Sequence, residues 1–422
     1  MIAARSARAS AEGPAPASRS DHAQRPVAAR WPCCNSLSVV LAAIALLVTA
    51  CGAPAAAPPG PPADCPPSAA AAAGELRHVE LRHATNVALR DAEGYRVLTI
   101  AQPFPDAAPE STVLVPCGAP PPALPPELAG APVLEVPVHS VYAASTTQLP
   151  MIVEIGALDA LTGVGTPDFV SGAQVRARID AGRVAGFAGG GPIDVERVVA
   201  AAPDVLLGQG TDDPAFPTLR EAGIPVLGWA EYLESGPLAQ AEWIKVMGVL
   251  TGREAEAERV FTAIETRYRE LATRAAGAPP VPVLAGQLYE GGWRVPTGGS
   301  TAGALLRDAG ATWSEAGNPA AGGIPKDFES VYTADGTAPI WIADGPWPTL
   351  AAVAAADPRY GELAAVRTGQ VWNRDRRIGP TGGNELHERG VTHPDEQLAD
   401  LVAVLHPDLL PGHAFTYLRR VS

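Results

Sequence analysis

Residues 253–276 read REAEAERVFTAIETRYRELATRAA, without a proline or a glycine, in a protein of 422 residues that carries 44 prolines and 43 glycines. Ala257, Val260, Phe261, Ile264, Tyr268 and Leu271 recur at spacings of three and four, the period of one helical face. Glu254, Glu256 and Glu258 crowd the first turns, and Arg267, Arg269 and Arg274 lie towards the end, a polarity that suits the helix macrodipole. At about 1.5 Å per residue such a helix spans roughly 35 Å, the width of a small domain. The stretch predicts a stiff rod joining two lobes. An ordinary surface helix of one large domain is the plainer alternative.

The flanks decide between them. Before the rod, residues 133–144 read as strand, 146–161 as helix and 161–164 as a short strand. An amphipathic helix at 196–202 precedes Pro203-Asp204 and the apolar run Val205-Leu206-Leu207. A helix closing at 219–223 leads into a strand at 224–227. After the rod, strands at 281–285, 339–343 and 370–372 alternate with helices at 299–309, 328–333 and 394–406. Such alternation with short connections predicts parallel sheets covered on both faces. The expected fold is α/β: two Rossmann-like lobes with parallel-sheet cores joined by one long α-helix. Ahead of the lobes, residues 87–102 read as two strands about the turn Asp91-Ala92-Glu93-Gly94, and 111–116 as a third, a small N-terminal β extension.

Charge and the amino end bound the partners. The net charge is −14, and the first 50 residues hold five arginines against Glu12 and Asp21, so the remainder is more acidic still. That argues against nucleic acid. The apolar run at 37–50 is shorter than the ~20 residues that span a bilayer and has the length of a signal-peptide core. It ends in Leu47-Val48-Thr49-Ala50-Cys51, which resembles a bacterial lipobox, so Cys51 is the expected lipidation site. A Pro/Ala tether follows, too poor in large apolar residues to fold. The expected organisation is a signal peptide at 1–51, a tether at 52–74, a β-hairpin extension at 75–132, a first lobe at 133–252, the rod at 253–276 and a second lobe at 277–422. Cys65 and Cys117 remain after processing and can pair outside the cytoplasm, though their separation is not readable from sequence.

PIDVERVVAAAPDVLL (192–207), LREAGIPVL (219–227) and WIKVMGVLTGR (243–253), in that order and spacing, resemble the class III periplasmic substrate-binding proteins of ABC importers for ferric siderophores, haem and vitamin B12. The likeness covers roughly residues 137–407. It implies a monomeric, lipid-anchored protein of the cell envelope, facing the periplasm or the exterior, that captures an iron chelate and delivers it to a permease and its ATPase. It also implies one permease-docking glutamate per lobe, matched here by Glu196 and Glu329. Each is equally a first-turn glutamate favoured by the helix dipole.

The resemblance further implies a ligand held between the lobes by loops at strand ends. On the first lobe the expected contacts are Ser145, Thr146, Thr147, Phe169, Phe187 and Gln209. On the second they are Gln287, Tyr289, Trp293, Trp347, Arg376, Arg377 and Asn384. The loop RDRRIGPTGGN (374–384) concentrates three arginines, which suit an anionic ferric chelate and equally suit surface carboxylates. Haem, with Tyr289 or His387 as axial ligand, and cobalamin are alternatives on the same scaffold. No metal-spaced histidine pair and no GxSxG, HExxH or Walker A spacing occurs, so neither a resident metal nor a catalytic residue is expected. An extracytoplasmic enzyme and a sensor lipoprotein are the alternatives of another class.

Overall fold

The computed structural model describes residues 77–422. The expected signal peptide, Cys51 and the tether lie outside the described residues. β1 (Val87–Ala92) and β2 (Tyr95–Ile100) pair antiparallel about Glu93-Gly94, where Gly94 takes a φ of 78° that a side chain would resist. β3 (Glu110–Pro116) pairs antiparallel with β2, and β4 (Val133–Val136) pairs parallel with β3. Leu98, Ile100, Leu114, Leu134 and Val136 send one face of this sheet into the first-lobe core. Tyr95, Val97, Val113 and Val115 form the other face, covered by Leu124 and Leu128 of the proline-rich segment. The extension is thus a four-stranded sheet buried on both faces, larger than the expected hairpin. Cys117, at its end, is disulfide-bonded.

The single strand expected at 133–144 is corrected to two strands in different sheets. Pro137 offers no N–H to continue the β4 ladder, and the chain resumes as β5 (Val141–Ala143) in the first lobe. There β5, β6 (Leu161–Val164), β7 (Ala185–Gly186), β8 (Val205–Leu207) and β9 (Val226–Leu227) run parallel in the order β7-β6-β5-β8-β9. β5 and β8 are buried throughout, as both-face coverage requires. The helix after β5 is confined to Gln148–Glu154, shorter than the expected 146–161, because the chain turns at Ile155-Gly156.

The rod is the Glu254–Ala276 helix. Ala257, Val260, Phe261 and Ile264 pack into the first-lobe core, and Tyr268, Leu271 and Ala275 into the second. Beyond it come β10 (Val281–Ala285), β11 (Gln287–Tyr289), β12 (Gly292–Pro296), β13 (Ala311–Thr312), β14 (Gly323–Lys326), β15 (Ile340–Ala343), β16 (Val371–Asn373) and β17 (Arg419–Arg420). The main sheet has the order β13-β10-β15-β16-β17, parallel except for β17. β11, β12 and β14 form a separate antiparallel sheet where a loop was expected at 287–293.

A second junction joins the lobes. Glu388, 3% exposed, accepts hydrogen bonds from Ser171 N (2.7 Å), Ser171 Oγ (2.6 Å) and Gly172 N (2.9 Å). Beside it Arg389 pairs with Glu154, and His393 Nε2 lies 3.3 Å from the same carboxylate. Rod and clasp together hold the two lobes at a set separation. Among the described residues no helix is long and apolar enough to cross a membrane.

Candidate functional site

In open α/β sheets ligands bind beyond the carboxyl ends of the strands, where the strand order reverses. That point lies between β5 and β8 in the first lobe and between β10 and β15 in the second. Cavities occupy both. Beyond β5, β6 and β8, volumes of 190 and 220 Å³ share the walls Thr166, Phe169 and Gln209, and Ser145 and Thr146 line the first. Gln148, fully buried, donates to Gly208 O at 2.6 Å and so fixes the loop carrying Gln209. Beyond β10 and β15, a cavity of 710 Å³ opens between the second lobe and the crossover segment before the rod.

The larger cavity owes its shape to the inserted sheet. Gly286 leaves β10 at a φ of 84°, and a Cβ there would lie 1.8 Å from Arg294 O, so only glycine permits the fold-back onto β12. In β12 the period-2 alternation buries Trp293 and Val295 and turns Arg294 to the cavity. Arg374, the first residue after β16, is a second guanidinium in the wall. It enters no ion pair among the described residues; burial pulls its pKa below the ordinary arginine value, and the Asp344 carboxylate partly offsets that. Tyr289, 56% exposed, and Tyr232, 46% exposed, add two aromatic faces. The wall therefore offers two cations and two phenols, with the carboxylates of Glu234 and Asp344 beside them, around a volume that suits a small-molecule ligand.

The sequence-predicted residues divide into two groups. Ser145, Thr146, Phe169, Gln209, Gln287 and Tyr289 line the cavities. Thr147 hydrogen-bonds Ser145 Oγ at 2.9 Å and lies behind the wall. Two aromatics, Trp293 and Trp347, belong to the interior instead, while Phe187 lines the 220 Å³ cavity from within the core. Phe187, 1% exposed, stacks on Tyr142 at 5.1 Å between ring centroids. Trp293 is fully buried and donates its indole N–H to Ala285 O at 2.9 Å, and Trp347 packs on Trp341 and Tyr360. Neither Arg376 nor Arg377 lines the large cavity; Arg377 Nη1 donates to Glu385 at 2.8 Å. Asn384 is engaged in its own loop, donating to Arg374 O and accepting from Leu386 N. Arg294 and Tyr232 were missed as contacts, although the β alternation reaches Arg294; of the three arginines expected in the 374–384 loop, Arg374 is the one in the wall. Among the described residues no group of three or more His, Cys, Asp or Glu side chains is placed to hold a metal ion.

Glu231, 4% exposed, sits in the crossover segment next to Tyr232. Burial pushes its carboxyl up to about 7, against a hydrogen bond from Thr147 that pulls the other way. The folded-state value lies above the ordinary glutamate value. The stability it contributes is therefore complete below that lower value and lost as pH rises through about 7. Glu231→Gln should leave stability at pH 4 unchanged and raise it at pH 8 by roughly 1–3 kcal/mol. Urea midpoints at the two pH values check this, and equal shifts at both would show that Glu231 does not titrate in that window.

A family model described as Periplasmic binding protein matches residues 141–377, more than half of the chain. An uncharacterized lipoprotein of Methanocaldococcus jannaschii is 24% identical over 220 residues, covering 51% of this chain and 51% of that protein. The chain thus spans about half the length of the curated relative it matches. Among solved structures, a periplasmic heme binding protein from Pseudomonas aeruginosa is 21% identical with a TM-score of 0.50, covering 68% of this chain and 98% of that one. A possible iron-binding (periplasmic solute-binding) protein from Staphylococcus epidermidis is 14% identical with a TM-score of 0.51, covering 64% and 99%. These likenesses agree with the two-lobed α/β architecture. The matched family is one of solute-binding proteins serving ABC importers, not of enzymes.

Proposed function

This chain belongs to the periplasmic binding protein family, and from that premise we propose that it captures an anionic iron complex of the ferric siderophore type and delivers it to an ABC permease and its ATPase. The observation that carries the proposal is the 710 Å³ cavity whose wall brings Arg294 and Arg374 together with Tyr232 and Tyr289. Guanidinium groups suit carboxylate, catecholate or hydroxamate oxygens, and the phenol rings suit flat ligand faces. Exposed Tyr289 favours haem as a second reading, since a phenolate can ligate haem iron. His387 is outside the wall of this cavity.

Delivery requires a grip on the permease, for which we assign Glu196 and Glu329. Both are exposed second residues of their helices, Val195–Ala201 and Phe328–Asp335. Lipidation at Cys51 would tether the lobes to an envelope membrane. The segment boundaries at 51, 74 and 252 belong to the same proposal, with the extension carried through Val136.

The test is fluorescence of the full chain titrated with ferric siderophores, haemin and cyanocobalamin. The indoles of Trp293 and Trp341 donate to Ala285 O and Gly286 O, both in the cavity wall, so occupancy should alter their emission. Saturable quenching by a ferric chelate is the expected result. Saturation by haemin or cyanocobalamin alone would reassign the ligand, and no response from folded protein would sink capture in this cavity.

A further inference from the structure

We propose that Val199 and Tyr332 are the apolar halves of two matched docking knobs, each completing a glutamate that grips one half of an ABC permease. The proposal rests on the assignment of Glu196 and Glu329 to docking and goes beyond it.

The two helix starts repeat position by position, DVERVV at 194–199 and DFESVY at 327–332. Asp194 caps the first by accepting from Arg197 N at 3.0 Å, and Asp327 caps the second by accepting from Ser330 N at 2.8 Å. Two residues after each cap stands an exposed glutamate. Val198 and Val331 are buried at 0% and 1%, anchoring each helix. The next residue is large, apolar and exposed in both: Val199 at 38% and Tyr332 at 36%. A spacing of three places Val199 beside Glu196 and Tyr332 beside Glu329 on one helical surface.

Of the other exposed large apolar side chains, Phe169, Tyr232 and Tyr289 line the ligand cavities, and Val133 and Ile378 stand apart without a glutamate at the matching helical position. The charges near the knobs also match. Arg197 is held by Asp194 at 3.6 Å, and Arg359, which lies over the Phe328 ring, is held by Asp357 at 2.7 Å. Neither Glu196 nor Glu329 enters an ion pair within 4 Å among the described residues, although Glu329 lies within Coulombic reach of Arg359, so each knob presents a carboxylate without a close partner next to an apolar side chain. The complementary surface is a basic pocket with an apolar flank, present twice. A permease built of two like halves has that form. Contact with the flank would exclude water from the carboxylate–cation pair and strengthen it.

The experiment measures binding of the full chain to the permease–ATPase complex of its own genome in lipid nanodiscs, at several salt concentrations. Val199→Ser with Tyr332→Ser should weaken binding about tenfold without changing its salt dependence. Glu196→Gln with Glu329→Gln should weaken it and flatten the salt dependence. Val133→Ser, exposed but remote from both helix starts in sequence, should have no effect. Because Tyr332 also stacks on Phe328, at 6.0 Å between centroids, Val199→Ser alone is measured as well and should account for a clear part of the loss. If the glutamine pair weakens binding and the serine variants do not, the apolar halves are refuted and docking by the glutamates stands. If the glutamine pair has no effect, the docking assignment itself fails, and the knobs with it.

Discussion

Replacing Glu242 by alanine is expected to lower the unfolding free energy by about 3–5 kcal/mol. Glu242 is fully buried between the Pro237–Ala241 and Trp243–Thr251 helices. Its carboxylate accepts from the backbone N–H groups of Arg82 (2.9 Å), His83 (2.6 Å) and Ala84 (2.9 Å), and pairs with buried Lys245 at 3.1 Å. Glu234 does the same one step on, accepting from Thr85 N and Asn86 N. The segment entering β1 is sewn to the crossover by these carboxylates. Alanine at 242 leaves three amides without acceptors and weakens the compensation of a buried ammonium. Denaturant unfolding measures the loss, and hydrogen exchange at Arg82 to Ala84 should accelerate with it. An unchanged midpoint would mean that the attachment contributes nothing. Burial alone would raise the Glu242 carboxyl, but the three amides and Lys245 outweigh it and hold the pKa below the ordinary value. Its contribution is therefore present above the ordinary carboxylate range and lost as pH falls through the lowered folded-state value.

Exchanging both Arg294 and Arg374 for alanine should weaken capture of an anionic ferric chelate about 100-fold, close to tenfold for each. Both guanidinium groups line the same cavity. Arg376→Ala and Arg377→Ala are the controls and should remain within about twofold, since Arg377 is paired with Glu385 and neither residue lines that cavity. Calorimetric titration with the chelate found by fluorescence measures all four. A large loss at Arg376 or Arg377 with none at Arg374 would show that the ligand sits elsewhere.

What was legible in the sequence follows from how local the signal is. The Glu254–Ala276 helix and the alternating strands announce themselves by periodicity, and the two lobes follow from their order. β11, with only three residues, is too short to show a period, and the small antiparallel sheet was missed with it. The attachment made by Glu234 and Glu242 had no local signal, because the backbone amides they accept from lie about 150 residues or more away in sequence. In the site, strand ends led to Ser145, Phe169, Gln209 and Tyr289. An aromatic near a strand end reads alike whether it faces ligand or core, which is why Trp293 and Trp347 were misjudged. Likewise, the 374–384 loop shows three arginines, but only the chain's exit from β16 determines that Arg374 reaches the cavity.

The four-stranded sheet has a consequence for descent. The family match begins at Val141, after β4, yet Leu98, Ile100, Leu114, Leu134 and Val136 share one core with β5, β8 and the rod. A deletion trimming the gene back to the shared region would uncover that apolar face and favour aggregation. Recombination between this lineage and its relatives should reject crossovers near residue 141.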